Sequence, residues 1–482
     1  MRNQHRSIVE RWVITGTLTL KSPTHFGNGE ADALNDMPIL FDEVDGKPLL
    51  PGTSIAGALR NYLREREFGY GVKEETNSPA SLLFGGYRGD DEGAQSPLIV
   101  YDALGKSAGL ELRDGVAINS ATRTALDEKK FDIQLLAAGS TFDLRFELLV
   151  NGKDKNSQDL RDALATALSG LEDSQITLGA RKGRGFGKCT CSNWKVQKYD
   201  LTNKEQLKAW LTSERNWADM PGVDSQSGQT LREMLDANIL KKDIRENAIL
   251  NAAFSIDGTL LIRSGFGSSD EGPDTVHLHS KRPGNKNPVP VVPGTSWAGI
   301  LRHRALKIAR TVSKNNKEKS QSFIDSMFGP SEIKKHDRDT RASRVRIEES
   351  QVHGSTPMVM TRVKIDRFTG GAYESALFGE QPETGKVGDK NVSLNLTLQN
   401  PTKAETGLLL LLLKDLWTGD LPIGGESSVG RGRLKGINAT LAAMDNEWNF
   451  NAASNDGLTI TPESKILQTF ITAFKDEMAG VQ

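Results

Sequence analysis

Apolar and polar side chains alternate along Trp12 to Leu20, through Ile14-Thr15-Gly16-Thr17-Leu18. A period of two predicts a half-buried strand. The stretch returns with one change as Ile256-Asp257-Gly258-Thr259-Leu260, and most segments downstream of the first copy recur downstream of the second in the same order. A polar, glycine-rich loop comes next, His25-Phe26-Gly27-Asn28-Gly29-Glu30 and then Asn35-Asp36-Met37-Pro38. Its counterpart is Gly265-Phe266-Gly267-Ser268 followed by Pro273-Asp274-Thr275-Val276. Each loop leads into the most conspicuous duplicated stretch, Pro51-Gly52-Thr53-Ser54-Ile55-Ala56-Gly57-Ala58-Leu59-Arg60 and Pro293-Gly294-Thr295-Ser296-Trp297-Ala298-Gly299-Ile300-Leu301-Arg302. Pro and Gly supply turn chemistry and Thr and Ser offer capping oxygens, so a helix is predicted to start there, with Ile55, Leu59, Tyr62 and Leu63 on one face. The free amides and positive dipole end of such a helix either cap locally or receive an anion.

The helices run towards Leu83-Phe84-Gly85 and Met327-Phe328-Gly329, where a turn is expected. Strand-like alternation resumes over Ser96 to Asp102 and Ser343 to Glu349. Val116-Ala117-Ile118-Asn119 and Val363-Lys364-Ile365-Asp366 then open polar excursions that return as Thr141 to Val150 and Val392 to Leu398, the pattern of a long hairpin projecting from a sheet. A helix with Leu160, Ala163, Leu164, Ala167, Leu168 and Leu171 on one face comes next in the first copy, and the block Leu408 to Leu416 in the second. Each copy closes on a glycine-rich loop, Leu178-Gly179-Ala180-Arg181-Lys182-Gly183-Arg184-Gly185-Phe186-Gly187 and Ile423-Gly424-Gly425-Glu426-Ser427-Ser428-Val429-Gly430-Arg431-Gly432, which align without a gap. Glycines at this density admit close backbone approach, and Arg181, Lys182, Arg184 and Arg431 put positive charge where a phosphate would sit.

The duplication divides the chain into a first unit over 1–199, a helical linker over 200–250, a second unit over 251–445 and a helical tail over 446–482. In the tail, Ile466, Leu467, Phe470, Ile471 and Phe474 form one stripe, expected to dock on its own domain. The length of 482 residues also exceeds what one core serves well. Lys and Arg number 61 against 62 Asp and Glu, so any nucleic-acid binding must come from local patches. Cys189 and Cys191 are too few for a disulfide framework or a zinc site and read as strand residues in a reducing compartment. The start Met1-Arg2-Asn3-Gln4-His5-Arg6 leads into no signal-like apolar run, and Leu408 to Leu413 is far shorter than the ~20 residues of a membrane span. A cytoplasmic protein without membrane contact is expected.

This order of elements resembles the RAMP superfamily of CRISPR proteins, most of all the backbone subunits of type III effector complexes. The most specific stretch is Arg362-Val363-Lys364-Ile365-Asp366-Arg367-Phe368-Thr369-Gly370-Gly371-Ala372, continuing to Leu377-Phe378, Glu380 and Pro382, which looks like the family's hairpin region. The first copy keeps Val116-Ala117-Ile118-Asn119 but has Ala121-Thr122-Arg123-Thr124 in place of the Thr-Gly-Gly. The resemblance implies an α+β chain of two tandem ferredoxin-like (RRM-like) RAMP units, each with a projecting thumb hairpin, as in a type III-D-like fusion. It further implies guide RNA, target RNA and other CRISPR effector subunits as partners.

By the same resemblance, a loop aspartate between the first strand and the Pro-Gly helix is associated with cutting the bound target RNA. Asp36-Met37-Pro38-Ile39-Leu40 and Asp274-Thr275-Val276-His277-Leu278 match that pattern, with Asp32, Asp42 and Asp270 as neighbours. One carboxylate suffices to hold a hydrated Mg²⁺ whose other ligands come from water and phosphate, so Asp36 and Asp274 are both catalytic and metal-ligand candidates. RNA carries its own nucleophile in the 2′-hydroxyl, which DNA lacks. Candidate RNA contacts are His25, Gly52, Thr53, Ser54, Arg60, Arg181, Lys182, Arg184, Gly294, Thr295, Ser296, Arg302, Arg367, Thr369 and Arg431. Two alternatives stand beside RNA cutting. One is an inert scaffold of the guide complex, the other a guide-processing endoribonuclease using a loop histidine, for which His25 has only Gly265 as its counterpart.

Overall fold

The computed structural model describes residues 7–29, 36–76, 78–86, 95–119, 122, 124–152, 157–213, 223–224, 228–264, 273–330, 341–386, 388–453, 458–463 and 465–480. Asp32, Asp270, the loop from Gly265 to Ser268 and Ala121 and Arg123 of the first hairpin lie outside these residues. The chain forms two compact units. The first comprises Met1–Glu111, Gln134–Lys182 and Gly187–Arg245, the second Leu112–Ile133, Gly183–Phe186 and Glu246–Gln482.

In the first unit, the strand Ile8–Leu20 lies between Thr141–Asn151 and Cys189–Asp200, antiparallel to both, and Leu98–Val100 pairs with the far edge of Thr141–Asn151. Helix Gly52–Phe68 comes after the first of these strands and helix Ser157–Glu172 after the third. The order is therefore βαββαβ with the strands arranged fourth, first, third, second, a ferredoxin-like sheet. Ile55, Leu59, Tyr62 and Leu63 of the first helix are buried, as are Leu160, Ala163, Leu164, Ala167, Leu168 and Leu171 of the second. They pack on Ile14, Leu18, Phe146 and Leu148 from the sheet. Each fully buried aliphatic or aromatic side chain of this kind contributes ~2 kcal/mol, which is what holds short helices to a sheet. Gly16 sits mid-strand because the Trp194 ring covers it, leaving 2.4 Å to the place a Cβ would take.

The second unit repeats the arrangement. Asn247–Asp257 lies between Val392–Gln399 and Arg433–Ala443, with Val345–Ile347 on the outer edge of Val392–Gln399. Helices Gly294–Val312 and Lys403–Trp417 take the places of the two sheet-covering helices, and the leucine block is buried along its length. A hairpin is inserted between the second and third strands of both repeats, Leu110–Ile118 with Ala125–Leu136 and Met360–Ile365 with Ala372–Gln381.

Several sequence expectations change. The first strand begins at Ile8, ahead of Trp12. The repeated Ile-x-Gly-Thr-Leu differs in its two settings: Gly16 is inside a strand, whereas Gly258 has φ 87° and breaks one, so Thr259–Leu260 pairs with Glu383–Thr384 instead. Of the segment 200–250 expected as a linker, residues up to Arg245 belong to the first unit and those from Glu246 to the second. Trp210 of helix Lys204–Thr212 packs with Val13 and Tyr199, the Arg11 guanidinium lies 4.2 Å from its ring, and Leu231, Met234 and Leu235 join the first core. The tail opens with strands Asn446–Ala452 and Leu458–Thr461, which extend the second sheet, and only then forms helix Lys465–Ala479. That helix buries Leu467, Phe470 and Phe474, and Gly407 allows its backbone to approach so closely that a Cβ there would stand 2.1 Å from the Phe470 carbonyl oxygen. Cys189 and Cys191 are free and buried, with burial pushing the Cys189 thiol up to about 12.

Candidate active site

Asp36 is exposed at the start of a short segment that runs beside the return strand of the first hairpin. Gln134 on that strand is the fastening point. Its N–H donates to the Met37 carbonyl at 3.1 Å, and its side-chain oxygen accepts from the Ile39 N–H at 3.1 Å. Its own carbonyl accepts from His25 Nδ1 at 2.9 Å. His25 is 3% exposed, and Gly27 makes room for its ring. The histidine expected to meet RNA is thus enclosed and braces the loop from behind. Asp42 belongs to a turn, accepting from the Val44 and Asp45 N–H groups.

Asp274 has the corresponding place in the second unit. Thr275–His277 runs parallel to the return strand Ala372–Gln381, with Thr275 opposite Glu380 and Val276 opposite Gln381. The exposed Asp274 carboxylate accepts from the Gly379 N–H at 2.7 Å through Oδ2. His277, one side chain further along the buried face, donates from Nε2 to the Val291 carbonyl at 3.0 Å and accepts from the Ile262 N–H at 3.2 Å through Nδ1. Burial pushes its pKa down to about 4, so it is neutral at pH 7. Each loop aspartate therefore stands exposed at the foot of its own hairpin, with its segment bonded to the return strand.

The surroundings of the two carboxylates differ in charge. The closing glycine-rich loops place Arg181 and Glu426 at the same point, both left-handed with φ 54° and 61°. Arg181 directs Nη2 to within 3.8 Å of the Met37 sulfur, next to Asp36, and burial lowers its pKa. Near Asp274, Arg431 Nη2 meets Glu380 Oε2 at 2.8 Å and Arg431 Nε meets Glu426 Oε2 at 3.2 Å. Arg362 repeats both contacts, Nε to Glu380 Oε2 and Nη1 to Glu426 Oε2, each at 3.2 Å, so two guanidiniums and two carboxylates close a ring, and Arg263 joins from outside at 2.9 Å. Burial, reinforced by a hydrogen bond with Glu426, raises the Glu380 carboxyl. Burial acts the same way on Glu426, but the Glu380 hydrogen bond and the guanidiniums outweigh it and leave that group lowered.

The remaining candidates separate into enclosed and exposed sets. The helix beginning at Gly52 is preceded by Pro51, with no side-chain cap, so Thr53 and Ser54 lie in the first turn, exposed, rather than capping it. Its Gly52 N–H already has an anion, Asp102 Oδ1 at 2.6 Å. Gly294 is buried, and a Cβ there would stand 2.3 Å from the Arg184 carbonyl oxygen, while Thr295 is exposed and Ser296 half-buried. Arg60 bonds Glu74 and the Gly85 carbonyl at 3.0 Å, and Arg302 bonds Asp325 and the Gly329 carbonyl at 2.6 Å. Both arginines fasten the Phe-Gly turn of their repeat, and Arg431 is buried in the ring together with Glu380. Lys182, Arg367 and Thr369 are exposed, and Arg184 is half-buried. Arg367 and Thr369 flank Phe368, 98% exposed on a turn that Asp366 tightens by accepting from the Phe368 and Thr369 N–H groups. Sequence reasoning passed over Asp102, Gln134, Glu349, Glu380 and Glu426. Asp102 and Glu349, closing the same alternating strand in both copies, carried the clearest signal.

The family model of the RAMP superfamily matches residues 17–190 and again residues 257–435. The chain belongs to the RAMP superfamily. The two matches coincide with the two ferredoxin-like sheets, so this RAMP protein carries the family's unit twice in tandem. It is also 26% identical over 215 residues to the CRISPR system Cms endoribonuclease Csm3 of Streptococcus thermophilus, an alignment that takes in 41% of this chain and 94% of that protein. No helix among the described residues of this RAMP protein is long and apolar enough to cross a membrane.

Proposed function

We propose that this RAMP protein is a guide-RNA-binding backbone subunit of a type III CRISPR effector complex that cuts complementary target RNA at two points, one at Asp36 and one at Asp274. Working in the cytoplasm, it acts with the guide RNA and the other effector subunits. The observation that carries the reading is the doubled placement of an exposed carboxylate at the foot of a hairpin, in a chain related to a protein named an endoribonuclease. Exposed Val363, Ile365, Phe368, Tyr373 and Leu377 give the second hairpin an apolar flank on which splayed bases would stack.

A nucleotide splayed by the hairpin brings its 2′-hydroxyl into line with the adjacent phosphate, and positioning supplies much of the rate. The aspartate takes the hydroxyl proton, the new O–P bond forms as the bond to the 5′ oxygen breaks, that oxygen takes a proton from water, and the products are a cyclic phosphate and a 5′-hydroxyl. Among the described residues no group of three or more acidic, histidine or cysteine side chains gathers to ligate a metal. A single exposed carboxylate suits a largely hydrated Mg²⁺, which Asp36 and Asp274 would hold and which, when bound, would offset charge on the phosphate. At Asp274 the Gly379 N–H fixes one carboxylate oxygen, so the other faces outwards.

The test is target-RNA cleavage by the guide-loaded assembly with Mg²⁺, comparing wild type, Asp36→Ala and Asp274→Ala. Each substitution should remove one distinct cut by about 10²-fold or more, with target binding intact and a DNA target uncut. An unchanged pattern in both variants refutes the reading and leaves a scaffold.

A further inference from the structure

The ring of charges at the foot of the second hairpin touches the candidate cutting residue through one backbone group. Glu380 is buried on the return strand, directly after Gly379, whose N–H holds the Asp274 carboxylate, and directly opposite Thr275, the residue after Asp274. Arg431 reaches Glu380 from the glycine-rich loop and Arg362 reaches it from the outgoing strand of the hairpin. Three separate stretches of chain thus converge on one carboxylate. A buried carboxylate held by two guanidiniums is fixed in place, because moving it would leave ions desolvated and unpaired.

The first repeat lacks these charges. Its register puts Ile133 where the second has Glu380, one residue before Gln134 as Glu380 is before Gln381, and the aligned loops put Phe186 where the second has Arg431. Ile133 and Phe186 are buried. The same two places therefore carry an ion pair in one repeat and apolar side chains in the other.

We propose that Glu380 and Arg431 are positioning residues for Asp274, their buried ion pair holding the Gly379 N–H against the Asp274 carboxylate. The proposal rests on the cutting role given to Asp274 above. Removing one ion leaves the other buried with a single counter-ion, Arg431 on Glu426 or Glu380 on Arg362, unbalances the ring and lets the return strand shift, and a shift of about 1 Å at a reacting group costs up to ~10²-fold in rate. Replacing both ions by the first repeat's pair removes one cation and one anion together and leaves Arg362 balanced on Glu426.

The experiment is single-turnover cleavage by the complete guide-loaded complex carrying Glu380→Ile, Arg431→Phe, the double substitution or Asp274→Ala, with the Asp36 cut as internal reference. Each single substitution should slow the second cut about 10- to 100-fold relative to the first at unchanged target affinity, and the double should return it to within about threefold of wild type. Loss of the second cut in Asp274→Ala together with an unaltered rate in Glu380→Ile overturns the clamp alone. A double variant as slow as either single also overturns it. Persistence of the second cut in Asp274→Ala overturns the cutting role of Asp274, and the clamp falls with it.

Discussion

Glu349→Gln is the substitution whose cost the structure fixes best. The Glu349 side chain is 1% exposed and lies between Arg113, at 6%, and Arg282, at 7%, with Arg113 Nη2 donating to its Oε1 at 3.2 Å. Glutamine keeps the shape and removes the negative charge that the buried Arg113 and Arg282 guanidiniums share. Breaking a buried pair from one side costs about 3–5 kcal/mol. At roughly 2–4 °C per kcal/mol for a body of this size, the melting transition of the second unit should fall by about 6–20 °C. Scanning calorimetry of the full chain reads this directly. The difference should also depend on pH in a defined direction. Burial opposes ionisation of Glu349, but Arg113 and Arg282 outweigh it and hold the carboxyl below its ordinary value of 4.5. A depressed folded pKa contributes stability above the unfolded value and loses it as pH falls through the folded one, so wild type and variant should converge from pH 7 towards pH 3. A shift below about 2 °C at pH 7, or a gap that widens on acidification, refutes the reasoning.

The same geometry sets three further outcomes. Gln134→Ala strands the Ile39 N–H that its side chain satisfies, so the first cut should slow about tenfold while the second is unchanged, measured by product mapping on one target. Acidification should lower the second cut relative to the first, because Glu380, raised above its ordinary 4.5, takes a proton before an ordinary carboxylate and the ring loses an anion that the first repeat never had; a ratio that stays constant from pH 8 down to pH 4 contradicts this. Gly407→Ala drives a methyl group into the Phe470 carbonyl and should destabilise the docked C-terminal helix by about 1–3 kcal/mol, seen as faster limited proteolysis within 458–480.

Periodicity made the two sheets and their covering helices legible, because alternation in Trp12 to Leu20 and the leucine spacing of Ser157–Glu172 report burial locally. The doubled Pro-Gly stretch marked both helix starts, yet it misplaced the cap, since the residue satisfying Gly52 is Asp102, which follows the strand Leu98–Val100 and its neighbour Tyr101 some fifty residues on. Arg60 and Arg302 look like free cations in the sequence and are spent on Phe-Gly turns some two dozen residues away. His25 looked like an RNA contact for the same reason: a loop histidine shows its chemistry in one dimension but its enclosure only in three. The linker expectation failed because apolar positions there are sparse: Trp210 is the one buried side chain of its helix, and Leu231, Met234 and Leu235 make up a single turn.

The Arg113–Glu349 contact joins residues 236 apart, and both belong to the second unit. A ribosome adding about 5–20 residues per second finishes the hairpin strand bearing Arg113 roughly ten to fifty seconds before Glu349 emerges. During that wait, Arg113 and Ile133, both buried in the finished chain, lack the rest of the unit into which they pack. Splitting the gene between the repeats would make the separation permanent: the downstream half would be born without Arg113, and the upstream half would keep a cation whose counter-ion had been left on another polypeptide.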